Sequence, residues 1–115
     1  SKITECVKFA EEQAEKFGVR APMVGHMGDG NFHVILPFDP ENKESYKKIR
    51  AFNDTLIKKA LELNGTITGE HGVGLHKKEY LLEQHPDNIP VMKSIKRTLD
   101  PNNIMNPGKI FDLNW

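Results

Sequence analysis

Val24-Gly25-His26-Met27-Gly28-Asp29-Gly30-Asn31-Phe32-His33-Val34-Ile35-Leu36 sets an Asp-Gly pair between two strand-like runs. Asp-Gly is a favoured two-residue hairpin turn, because a type I′ turn needs positive φ at both central residues. With Asp29-Gly30 at the tip, the spacing predicts Gly28 opposite Asn31, Met27 opposite Phe32 and His26 opposite His33. Opposed residues of an antiparallel pair have Cβ atoms about 5 Å apart on one face, so the two imidazoles would reach a common metal ion. The same register sends Met23, Met27, Phe32, Val34, Leu36 and Phe38 to an apolar face, and Val24, His26, Asn31, His33 and Ile35 to the other. Taken alone, two half-exposed strand histidines need no metal.

Outward from the hairpin, helices dominate. Ile3, Cys6, Val7, Ala10, Ala14 and Phe17 form one apolar stripe over residues 2–17, with Gly18 as the stop. Asp39-Pro40 reads as the start of a second helix, Asp as N-cap and Pro at the first helical position. Its stripe is Ile49, Phe52, Leu56, Ala60 and Leu63, and Asn64-Gly65 ends it. Thr66-Ile67-Thr68 is expected as a short strand. A third helix is expected over about 75–84. A fourth follows a cap at Asp87 or Asn88, burying Val91, Met92, Ile95 and Leu99. This order predicts an α+β fold with helices on one face of a small, mainly antiparallel sheet. Three strands leave exposed edges, so partner strands are expected from elsewhere in a longer protein.

The second motif is Gly69-Glu70-His71-Gly72-Val73-Gly74. Six of the nine glycines lie in these two segments, which marks forced backbone geometry or close approach of a ligand. The run departs from the dinucleotide G-x-G-x-x-G spacing and no crossover unit surrounds it. Two histidines with a carboxylate are a common set for a catalytic divalent metal. On that pattern Glu70 can supply the oxygen ligand beside the histidine pair His26 and His33. His71 remains as the proton acceptor. Lys77 and Asn31 are the candidate substrate contacts, Lys77 toward a substrate carboxylate; a solvated surface lysine is the plainer alternative.

Composition narrows the classes. The chain has 115 residues, 37% of them hydrophobic, and 16 basic against 16 acidic residues. That size fits one domain with a single core, and the modest apolar content suggests a face completed by other chain. With no net charge, nucleic acid is not an expected partner. No apolar run approaches the roughly 20 residues of a membrane span. The lone Cys6 cannot form an internal disulfide and reads as a buried thiol in a reducing compartment, so a cytoplasmic location is expected.

Three segments together, residues 25–33, 69–74 and Asp100-Pro101-Asn102-Asn103-Ile104-Met105-Asn106-Pro107-Gly108-Lys109, resemble the C-terminal domain of FAD-linked oxidases. The likeness runs from about Pro22 to Phe111. Within that family the flavoproteins of D-lactate dehydrogenase and glycolate oxidase type are most similar. The resemblance implies a ferredoxin-like substrate (cap) domain and a parent enzyme that oxidises a small D-2-hydroxy acid to the 2-oxo acid. It implies FAD, bound mainly by an upstream domain of the parent chain that is absent here, and a divalent metal (Zn, Mn or Fe) on His26, His33 and Glu70. His71 is then the base, while hydride passes to the flavin. An electron-transfer partner is implied too, through which the parent would meet a membrane. Relatives acting on 2-hydroxyglutarate carry Asn where this chain has Ile35, which favours lactate or glycolate. The whole of residues 1–115 is then expected to be a piece of a cap domain, flavin-free and inactive alone. The competing reading is a stand-alone metal- or small-ligand-binding α+β module without catalysis.

Overall fold

The computed structural model describes residues 2–112. Its helices are α1 (Ile3–Phe17), α2 (Lys43–Glu62), α3 (Lys78–Gln84) and α4 (Ile89–Leu99). Its strands are β1 (Met23–Val24) and β2 (His33–Val34), with one 3₁₀ turn at Met27–Asp29 between them. Mixed helix with a small two-stranded antiparallel sheet is the expected α+β class. The chain divides after Gly69 into two compact units. Among the described residues no helix is long and apolar enough to cross a membrane.

In the first unit α1 follows from its stripe: Cys6 and Ala10 are buried on the side that meets α2. Gly18 stops the helix with φ 61°. Its N–H donates to the Glu15 carbonyl at 3.1 Å, while the Val19 N–H donates to the Ala14 carbonyl at 3.0 Å. This double closure is a Schellman motif, and only a residue at ease in the left-handed region adopts it without strain. On α2, Phe52 is fully buried and Ile57 nearly so. The Phe52 ring meets Phe17 edge-on, with centroids 6.2 Å apart. Burying one such side chain contributes about 1.5–3 kcal/mol.

The start of α2 differs from expectation. Residues 39–42 form a turn: the Asp39 carboxylate accepts the Glu41 N–H at 3.0 Å and the Asp39 carbonyl accepts the Asn42 N–H at 3.0 Å. The helix begins after Asn42, whose side-chain oxygen accepts the Ser45 N–H at 3.0 Å. Proline suits the second position of a turn as well as the first position of a helix, and here the turn wins because Asn42 supplies a cap three residues later. The end matches: Asn64 takes φ 60° and the Gly65 N–H donates to the Ala60 carbonyl at 2.8 Å.

Two further expectations change. Residues 66–68 are not a strand in the described sheet; Ile67 is buried as a side chain without joining the ladder. Its β-branched neighbours gave the strand signal, which reflects side-chain packing as much as a place in a ladder. In the second unit α3 starts at Lys78, not 75, and α4 buries Ile89 while leaving Val91, Ile95 and Leu99 exposed and Met92 half-buried. Helical spacing identifies an apolar face without saying what covers it.

Candidate functional site

The hairpin that carries both histidines has a register other than the one Asp-Gly suggests. Met23 pairs with Val34 and Val24 with His33, so His26 does not lie opposite His33. A type I′ turn needs left-handed backbone at Asp29 as well as Gly30. Here only Gly30 takes it, with φ 78°, and Asp29 closes a 3₁₀ turn instead. The loop therefore runs from Gly25 to Phe32, and the ladder begins two residues further out on β1. Glycine is required at position 25 by close approach: a Cβ there would sit 2.5 Å from the Phe32 Cα and 2.7 Å from the Asn31 carbonyl oxygen.

This loop fixes His26 by its backbone. The His26 carbonyl accepts the N–H groups of Asp29 at 2.9 Å and Asn31 at 3.3 Å, while its imidazole is exposed. His33 is half-buried on β2. The paired clamp across opposed strand positions is replaced by one histidine on a strand and one at the mouth of a tight loop. Val24 and Ile35 do face outward as the alternation suggested, but Met27 and Phe38 are exposed rather than part of an apolar face. Met27 has left the strand for the 3₁₀ turn. Phe38 instead stacks at a tilt on Tyr46, with centroids 5.5 Å apart.

Asn31 lies against the first glycine of the second motif. A Cβ on Gly69 would be 2.9 Å from Asn31 Cγ and 3.1 Å from its Nδ2, so only glycine fits without moving that amide. The two glycine-rich segments therefore touch inside the first unit, at the residue bonded to Glu70.

In the second unit Glu70 Oε1 and His71 Nε2 are 3.8 Å apart, both side chains largely exposed. A carboxylate oxygen and an imidazole nitrogen at that separation are too far apart for a direct hydrogen bond and suit a hydroxyl or cation held between them. Gly72 and Gly74 both have left-handed backbone, which turns the chain sharply after the pair. The Lys77 N–H donates to the Val73 carbonyl at 3.3 Å, and the Lys77 carbonyl accepts the Leu81 N–H at 3.0 Å, so Lys77 stands just before α3 and not in its first turn. Burial of its side chain pulls the ammonium below the usual lysine range.

The third motif folds back on the second. The Ile110 N–H donates to the Gly74 carbonyl at 2.8 Å, and Lys78 Nζ donates to the Gly108 carbonyl at 3.2 Å and to Asp112 at 2.7 Å. Its first residue, Asp100, is a buried carboxylate. Its two oxygens accept the Ile104 and Met105 N–H groups, each at 2.9 Å, and Lys96 pairs with it while also donating to the Met105 carbonyl. The Lys96 ammonium, followed by the Ile104 and Met105 amides, holds this carboxyl below the usual aspartate range. An Asp-Pro followed by two asparagines was the available signal for such a clasp.

Comparison with known proteins gives the same outline. The model of the family described as "FAD linked oxidases, C-terminal domain" matches residues 1–110. The chain is 45% identical over 96 residues to a "Probable D-lactate dehydrogenase, mitochondrial" of Danio rerio, covering 83% of this chain and 19% of that protein. It is 39% identical over 114 residues to a "D-lactate dehydrogenase [cytochrome], mitochondrial" of Kluyveromyces lactis, covering 98% and 19%. It is 41% identical over 112 residues to the "Glycolate oxidase subunit GlcD" of Bacillus subtilis, covering 96% and 24%. The chain thus spans about a fifth to a quarter of the length of these relatives. On the match along almost its whole length, the chain belongs to the family of FAD linked oxidases, C-terminal domain.

Proposed function

We propose that this chain is the C-terminal substrate-binding (cap) part, ferredoxin-like in plan, of an FAD-dependent oxidoreductase that converts a small D-2-hydroxy acid to its 2-oxo acid. The observation that carries the reading is the meeting of the motifs: Asn31 packs on Gly69, so the histidine loop touches the residue bonded to Glu70. The names of the relatives, D-lactate dehydrogenases and a glycolate oxidase subunit, support the substrate class. Ile35 in place of a polar residue favours lactate or glycolate over a dicarboxylate.

His71 takes the proton of the α-hydroxyl as the general base. Glu70 beside it at 3.8 Å stabilises the imidazolium that results. Lys77 meets the substrate carboxylate, and the Asn31 carboxamide, held against Gly69, offers hydrogen bonds to the same substrate. His26, His33 and Glu70 would hold a divalent cation (Zn, Mn or Fe), which favours ionisation of the substrate hydroxyl. FAD, bound mainly by other residues of the parent, would supply the two-electron acceptor for this oxidation. An electron-transfer partner would serve the parent as the onward acceptor.

The test is His71→Ala in the full-length protein. Turnover of D-lactate or glycolate should fall by about 10²–10⁴-fold while bound flavin, read by absorbance, is unchanged. Turnover within a few-fold of wild type removes His71 from the chemistry. Metal content measured after His26→Ala and His33→Ala should fall in both variants; full retention dismisses the ligand set.

A further inference from the structure

Asn31 is fixed by its neighbours although its carboxamide bonds to none of them. Its N–H donates to the His26 carbonyl at 3.3 Å. Its own carbonyl lies so near Gly25 that a Cβ there would come within 2.7 Å of the oxygen. The backbone is thus held from both sides. Gly69 then fixes the side chain: a Cβ on that glycine would crowd the Asn31 Oδ1 most, followed by Cγ at 2.9 Å and Nδ2 at 3.1 Å. All three atoms crowd the same point, so the whole amide, and not only its tip, rests against the bare Cα.

Among the described residues nothing bonds that carboxamide. A loop asparagine ordinarily turns its side chain onto nearby backbone. Asn42 does so, its oxygen accepting the Ser45 N–H at 3.0 Å. Asn31 instead is half-buried with its amide donor and acceptor unanswered. A polar group partly removed from water without a partner costs stability. Held in this way, it is prepared for a partner that arrives from outside, since little rotamer freedom is left to lose on binding. A carboxamide can donate to a carboxylate oxygen and accept from a hydroxyl at once. A 2-hydroxy acid carries those two groups on adjacent carbons.

We propose that Gly69 is a positioning residue, whose missing side chain seats the Asn31 carboxamide in the orientation that binds the 2-hydroxy acid. A side chain at position 69 displaces the amide. Substrate capture then weakens, while the oxidation itself, which other groups carry out, continues. This rests on reading the parent as a 2-hydroxy-acid oxidoreductase.

The test is a double-mutant cycle in the full-length flavoprotein, with circular dichroism and flavin absorbance confirming the fold. In Gly69→Ala the KM for D-lactate or glycolate should rise about tenfold or more, as for a lost hydrogen bond to a charged group, while kcat falls by less than about threefold. Asn31→Ala should show the same split. The double variant should match Asn31→Ala alone, because no amide is left for the methyl group to displace. An unchanged KM in Gly69→Ala, losses that fall mainly on kcat, or losses that add in the double variant overturn the proposal. Asn31→Asp covers the case in which Gly69→Ala does not fold. It keeps the shape seated on Gly69 and sets a carboxylate against that of the substrate, so KM should rise about tenfold or more. An unchanged KM there overturns the proposal too. His71→Ala lowers kcat instead, so the two assignments fail separately. A wild-type protein that turns over neither acid removes both.

Discussion

Helices α2 and α4 present the same pattern and meet different fates. Both are amphipathic, yet Phe52 and Ile57 of α2 are buried, with α1 packed alongside, whereas Val91, Ile95 and Leu99 of α4 face solvent. The first unit closes its core with an aromatic edge contact between Phe17 and Phe52. The second unit buries Leu81 and Ile89 and relies on a polar knot around Asp100. A periodic stripe states that a helix has an apolar side; the partner that covers it is a separate fact, written elsewhere in the chain or in another part of the protein.

The contrast is broken most forcibly at Phe52. Phe52→Ala should cost about 3–5 kcal/mol in urea denaturation, because a large cavity opens in a closed core. A loss under about 1 kcal/mol would mean that the first unit does not depend on this contact. Next is Gly25→Ala, which forces a methyl group onto the Phe32 and Asn31 backbone and should cost about 1–3 kcal/mol. The same variant should shift the amide resonances of Asn31 and Gly69, and unchanged shifts would show that the loop absorbs the intrusion. Smallest in global effect is Asp100→Asn, which keeps one acceptor and removes the charge. The Ile104 and Met105 amides should lose hydrogen-exchange protection while α1 and α2 keep theirs.

The pH dependence of that clasp follows from its sign. The folded carboxyl titrates below its unfolded value, so its contribution is fully present above about pH 4 and is lost as pH falls through the lower folded value. Protection of the two amides should decline on acidification in wild type, and much less in Asp100→Asn. Equal pH profiles would assign the clasp to the backbone alone.

Much of the helical framework is legible in the sequence. Gly18 and the stripe from Ile3 to Phe17 marked α1 at both ends, and Phe52 was placed in the core of α2. The hairpin was legible in existence and not in register, since Asp29-Gly30 suits a two-residue turn locally. The Gly25–Phe32 approach, a tertiary fact, pushes the ladder outward. Residues 66–68 differ for a related reason: β-propensity identifies a side-chain pattern and not a place in a ladder. At the site, residue types and spacing singled out His26, His33, Glu70 and His71. The packing of Asn31 on Gly69 was not legible, because nothing local links an amide to a glycine across the whole of α2.

That last contact also bears on how the protein is made. The Asp100 clasp closes over only four or five residues, so its loop entropy is small and it forms at the rate of local structure. Asn31 reaches Gly69 only after α2 has been laid down between them, a non-local closure of the kind that slows folding. The turn around His26 closes locally, so the step expected to come late is the seating of Asn31 on Gly69, which brings the two glycine-rich segments together.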